Sequence, residues 1–163
     1  MIVVSDASPI IGLAAVDQLD LLQDLYGEVL IPTEVYQEIS VAASDAPGVQ
    51  EIEGADWIRV QAVQDVSLVR ALALELDTGE AEAIALALEV EADLLLIDER
   101  RARTVAARFG RPVIGVLGVL TEAKRRGLIH AVRPLLDALD LRAGFRISAA
   151  LRARVLEAAG EEH

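Results

Sequence analysis

The stretch IVVSDASPI, residues 2–10, decides the fold. Its β-branched run Ile2, Val3 and Val4 stops at Ser5 and Asp6, and Ser8-Pro9 then opens a second apolar segment, Ile10 to Ala15. That pattern reads as a buried strand feeding a helix through a tight turn, which leaves Asp6 where the strand ends. DLLLID, residues 93–98, has the same form: a continuous apolar run suited to a central strand, closed by the acid Asp98.

Working outward from the first strand, residues 8–16 and 19–27 read as two short helices. Leu19, Leu22 and Leu25 share an inward face, and Gly27 is the stop. EVLIP, residues 28–32, is a short strand ended by Pro32, and TEVYQEIS, residues 33–40, is a helix with Thr33 as its N-cap. Val35 and Ile39 fall on one side of that helix, and Glu34 and Glu38 form a second stripe at the same spacing. Residues 43–56, with Ala46-Pro47-Gly48 and Gly54, read as the most mobile loop, and WIRVQ, residues 57–61, as a brief strand. Helices follow over 65–76, 77–90 and 99–109, and the AIALALEV part of the second, residues 83–90, is apolar on every side, which means burial nearly all round. A strand at 111–116, helices over 117–129 and 132–144, and a last short helix and tail over 145–163 complete the chain. Strands alternating with helices imply an α/β protein with a mostly parallel sheet. Residues 1–144 form one domain, and 145–163 are part of the same unit.

At 163 residues the chain is long enough for one domain with a real core; chains of this size bury about 68–70% of their unfolded surface. Hydrophobic residues make up 53% of it, yet Asp6, Asp17, Asp20 and Asp24 interrupt the apolar N-terminal region, so no membrane span is expected. No Lys or Arg precedes that region, which argues against a secretory signal and makes the cytoplasm the expected location. The absence of cysteine excludes disulfides, thiolate catalysis and Cys-ligated zinc. With only His130 and His163, a histidine triad or metal site has little to build with. The net charge of −12 is unevenly spread: residues 1–99 carry 21 acids and two bases, and residues 100–163 carry 13 bases and six acids. An acidic half suits cations and a basic half suits phosphates, although solvated helix faces explain the same counts.

In open α/β sheets the reactive crevice lies beyond the carboxyl ends of the strands, where Asp6 and Asp98 both fall. Each also has a structural explanation, Asp6 as the cap of the turn after it and Asp98 as the N-cap of the helix over 99–109. Asp77-Thr78-Gly79-Glu80 has capping-box spacing, so Glu80 is accounted for by the helix it begins. That leaves Glu82, in the first turn of the buried helix, as the acid without a structural task. If Asp6, Glu38, Glu82 and Asp98 converge, pairs about 4 Å apart repel by about 4 kcal/mol at an effective dielectric of 20, so they need a cation or shifted pKa values. An oxygen-only donor set favours Mg²⁺ or Mn²⁺, ions suited to phosphodiester hydrolysis because they lower the pKa of water and neutralise charge on the phosphate.

Four segments taken together, VVSDASPIIGL, VLIPTEVYQEI, LDTGEAEAIALALE and LLLIDERRAR, resemble the PIN-domain family, and in particular its bacterial and archaeal PIN-like subgroup related to VapC-type toxin ribonucleases. The resemblance covers roughly residues 1–130, and GFRISAALRARVLEAAGE resembles the subgroup's C-terminal end. It implies a three-layer α/β/α fold with a central five-stranded sheet, an acidic pocket binding Mg²⁺ or Mn²⁺, and cleavage of single-stranded RNA, with an antitoxin protein and a homodimer as partners. By position, Asp6 matches the first family acid and Ser8 the small polar residue near it. Glu38 matches the acid of the P-x-x-V-x-x-E pattern, Asp98 the late strand-end acid and Glu82 the third acid, with Glu80 as its substitute. Two features depart from the family pattern: the third acid is Glu where Asp is usual, and Leu95-Leu96-Ile97 precede Asp98 where relatives carry Ser or Thr.

Arg100, Arg101 and Arg103 follow Asp98 and are placed to reach phosphate, while an amphipathic helix sends at least one of them to solvent. Lys124-Arg125-Arg126 has the pattern of a cluster complementing a helix C-terminus. The five aromatic residues, Tyr26, Tyr36, Trp57, Phe109 and Phe145, argue against an extended base-stacking platform. Two other functions compete with a ribonuclease: a PIN scaffold that binds RNA or protein without cutting, and a small-molecule or phosphotransfer α/β protein. The second lacks a G-x-G-x-x-G or P-loop pattern, and the sole lysine, Lys124, stands in a helix instead of at a strand end.

Overall fold

The computed structural model of the protein describes residues 1–43 and 49–161. In chain order the elements are β1 (Val3–Ser5), α1 (Ala7–Ala15), α2 (Asp20–Tyr26), β2 (Val29–Ile31), α3 (Thr33–Ala43), α4 (Val49–Glu53), β3 (Ile58–Val60), α5 (Val66–Leu72), α6 (Thr78–Glu89), β4 (Leu94–Leu96), α7 (Arg100–Arg108), β5 (Val113–Ile114), α8 (Val116–Arg125), α9 (Arg133–Ala143) and α10 (Ala149–Ala158). Part of the segment read as a loop, residues 44–48, lies outside the described residues. Just after it the chain forms α4, because Ile52 has an apolar core to enter.

The five strands form one all-parallel sheet in the order β3-β2-β1-β4-β5. The connections run outward in opposite directions from β1 and β4, so the switch point of the topology lies between these two neighbours, and ligand crevices open beyond strand ends at such points. Alternation along the strands divides the core in two. Val3 and Leu96 face a cluster with α1, α2, α8 and α9, whereas Val4, Leu95 and Ile97 face a cluster with α5, α6 and α7. This is a three-layer α/β/α sandwich. In α6, Ala81 and Ala83 to Ala87 are all buried, which explains why its sequence shows no polar face. Helix α3 packs on α1 and α6, and so touches helices of both layers.

The C-terminal segment is fastened by Val155 and Leu156, which enter the core, by the Arg152–Asp137 ion pair (2.6 Å) and at two further points. Phe145 packs on α1, where Gly12 leaves room for its ring: a Cβ at residue 12 would stand 3.0 Å from Cε1. Glu161 accepts hydrogen bonds from the N–H groups of Val132 (2.7 Å) and Arg133 (3.2 Å) at the start of α9 and pairs with Lys124 Nζ on α8 (3.0 Å). Burial pushes the Glu161 carboxyl up, but those donors outweigh it and hold the group below its ordinary value.

Candidate active site

Asp6 follows β1 directly, and its backbone N–H donates to Leu96 O of β4 at 2.9 Å, which pins the residue at the switch point. It occupies the N-cap position of α1, yet its side chain makes no capping hydrogen bond. The structural explanation open from sequence therefore does not hold. A carboxyl only 6% exposed is expensive to ionise without full hydrogen bonding. Burial pushes its pKa up to about 7; the adjacent Ala7 N–H holds back part of the rise, and the charges of Glu38, Glu80 and Asp77 add to it.

Three further acids thus share the field around Asp6. Glu38 leans from α3 onto the first turn of α6, where Gly79 leaves the room it occupies: with a Cβ there, the Glu38 carboxylate would have to move aside. Burial first, then the charges of Asp77, Glu34 and Glu80, raise Glu38 to about 6. Asp77 and Glu80 form the expected capping box, with Glu80 N–H donating to Asp77 Oδ1 (2.8 Å) and Asp77 N–H to Glu80 Oε1 (3.2 Å). The box fixes Glu80, 9% exposed, with its carboxyl raised by burial and by the charges of Asp77 and Glu99, against the Asp77 N–H.

The expected convergence of Asp6, Glu38, Glu82 and Asp98 is realised only in part. Glu82 Oε1 accepts the N–H of Glu34 at 3.1 Å and so serves the N-terminus of α3. It has the structural task that the sequence left unassigned, and Glu80, already explained by its box, stands in the field of Asp6. Residues two positions apart on an α-helix are separated by about 200°, so Glu80 and Glu82 leave α6 on opposite sides. Asp98 sits on the same sheet edge as Asp6 but in register with Leu96, which points to the other layer. It does not cap α7; Glu99 is the N-cap there. Instead Asp98 Oδ1 accepts the N–H of Val116 at the start of α8 (2.7 Å), and Gly115 allows the approach, since a Cβ there would be 2.6 Å from Oδ1. Burial raises the Asp98 carboxyl, while the Val116 N–H and the Arg103 charge oppose the rise. Its Oδ2 is buried with no hydrogen-bond partner among the described residues.

Ser8 is exposed in the first turn of α1. Arg100, Arg101 and Arg103 are exposed on α7 and form no ion pair among the described residues. Lys124, Arg125 and Arg126 are engaged otherwise, Lys124 with Glu161 and both arginines with Glu122 at 2.6 and 2.9 Å. Asp77 is the site acid that sequence reasoning missed; the D-x-x-E spacing carried the signal, since a capping box sets two carboxylates at one helix end.

Among the described residues no three acidic or histidine side chains are already gathered tightly enough to hold an ion. The donor chemistry nonetheless fits a hard divalent cation: every candidate ligand is a carboxylate oxygen, the raised pKa values of Asp6 and Glu38 mark a shortage of positive charge that a cation would relieve, and Asp98 Oδ2 lacks a partner among the described residues.

A PIN-domain family model matches residues 2–161, and the chain belongs to that family, whose fold is generally that of nucleases. The chain matches none of the curated proteins with which it was compared. Among the described residues no helix is long and apolar enough to cross a membrane.

Proposed function

We propose that the protein is a divalent-metal-dependent endoribonuclease that hydrolyses phosphodiester bonds of single-stranded RNA. The observation that carries this reading is Asp6, buried at the switch point without a capping bond and surrounded by Glu38, Glu80 and Asp77. Asp6, Glu38 and Glu80 would hold Mg²⁺ or Mn²⁺, and Asp98, on the same sheet edge but facing the other layer, is the more distant candidate. Such an ion supplies a water of lowered pKa and charge neutralisation at the phosphate. The chain's own residues prepare the site: β1 fixes Asp6, the Asp77–Glu80 box orients Glu80, and Gly79 keeps the space that Glu38 enters. Ser8, Arg100 and Arg101 are the nearby polar groups free to meet flanking phosphates. A toxin role, with an antitoxin partner and a homodimer, belongs to the same proposal.

One observation favours a second reading, an RNA- or protein-binding scaffold that does not cut: the acids are neighbours without forming a closed ion site. Purified protein incubated with unstructured RNA and Mg²⁺ or Mn²⁺ separates the two. Cleavage that EDTA and Asp6→Asn both abolish supports the nuclease. Binding of RNA without any cleavage supports the scaffold, and cleavage that survives Asp6→Asn overturns the assignment of the site.

A further inference from the structure

On the other side of Asp98 from the acid group lies a groove of about 440 Å³ between the start of α8 and the segment from Phe145 through α10. Asp98 is the only acid among its described lining residues, and Arg103, Arg146 and Arg154 line it too. All three arginines are exposed, and none forms an ion pair among the described residues. That sets them apart from the arginines at 59, 108, 125, 126, 142 and 152, each of which has a carboxylate partner. Exposed arginines without an ion-pair partner among the described residues, gathered from separate parts of the chain on one concave surface, attract an anion with several charges even though Arg103 also acts on Asp98.

We propose that this groove is a phosphate track that holds the RNA strand on one side of the cleaved bond, which rests on the ribonuclease reading above. The occupant follows from charge and continuity. Asp98, the acid nearest the track, lies on the same sheet edge as Asp6 but faces the opposite layer, so a strand lying along the arginines reaches the Asp6 group by crossing that edge. The far wall is preformed, because Phe145 is packed on Gly12 and Val155 and Leu156 are buried. Phe145 is the one aromatic side chain in the lining, and its ring is committed to that packing, so the track reads backbone charge and is indifferent to base sequence.

The test uses fluorescence anisotropy of a labelled, unstructured 12-nucleotide RNA on the full chain in EDTA. Three phosphate contacts give a slope of log K against log salt of about −2 for a single strand, and replacing all three arginines by Gln flattens it by that amount. At 50 mM salt the triple variant binds at least about 10-fold more weakly, whereas the corresponding Lys variant recovers most of the loss and Arg70→Gln changes nothing. Circular dichroism of the triple variant matches wild type, since all three side chains are exposed. Unchanged affinity and slope in the triple variant overturn the track, even if wild type cleaves RNA. Loss of binding in a protein that never cleaves upholds the track as a binding surface and sinks the nuclease. Polyglutamate displacing the RNA at lower charge concentration than RNA itself would overturn the choice of occupant in favour of an acidic protein.

Discussion

Asp6 works against the stability of the protein it serves. Its folded pKa, about 7, lies above the ordinary value of 3.8, and that of Glu38, about 6, lies above 4.5. A group raised in this way favours the folded state fully below its unfolded pKa and loses that contribution as pH rises through the folded value. In EDTA the melting temperature should therefore fall between pH 5 and pH 8, by ~2–4 °C for each kcal/mol withdrawn. Glu122, held at about 2 by the Arg125 and Arg126 hydrogen bonds against a small burial effect, titrates below this window and does not mask the trend. Asp6→Asn removes the penalty, so the margin by which the variant out-melts wild type should be wider at pH 8 than at pH 5, while cleavage is lost. A differential scanning fluorimetry series across pH decides it; a wild-type melting temperature that rises from pH 5 to pH 8 contradicts the placement of Asp6.

At the scale of elements, α6 assigns different work to its two early acids. Glu80→Gln keeps the capping box, because Gln serves at the third helical position as Glu does, yet it removes a charge beside Asp6. It should leave the melting temperature nearly unchanged and lower cleavage by at least about 100-fold. Glu82→Gln weakens the bond to the Glu34 N–H and should cost roughly 0.5–1 kcal/mol, with cleavage within about threefold of wild type. The reverse ranking in steady-state assays would return the third-acid role to Glu82. This distinction was not legible in the sequence, because a capping box gives Glu80 a complete local explanation, whereas the partner of Glu82 is 48 residues away. Strand ends were legible, since IVVSD and LLLID each put an acid after a short apolar run. The face on which each acid leaves the sheet was harder to foresee: it depends on cross-strand register, which sets Ser5 beside Leu96, and no local pattern carries that. The structural alternative for Asp98, a cap for the helix after it, does not hold either, because its bond goes to Val116, reached only once β5 has paired with β4.

At the scale of the molecule, the uneven charge along the chain acquires a location. The acids around Asp6 come from β1, α3 and α6, and the unpaired arginines of the groove come from the later part of the chain, so opposite charges flank one edge of the sheet. Holding the arginine wall in place falls partly to Glu161, whose carboxylate joins the chain after α10 to the start of α9 and to Lys124. Glu161→Ala leaves two backbone N–H groups and an ammonium without their acceptor, a cost of about 2–3 kcal/mol, or roughly 5–10 °C in melting temperature. Hydrogen exchange should show α10 opening first in that variant, with the strands protected to the same degree as in wild type. Because Arg154 rides on that last helix, gentle warming or dilute urea should loosen the proposed hold on RNA while the sheet is still intact. Release would then be a local melting event, graded by temperature, in a body that otherwise unfolds all at once.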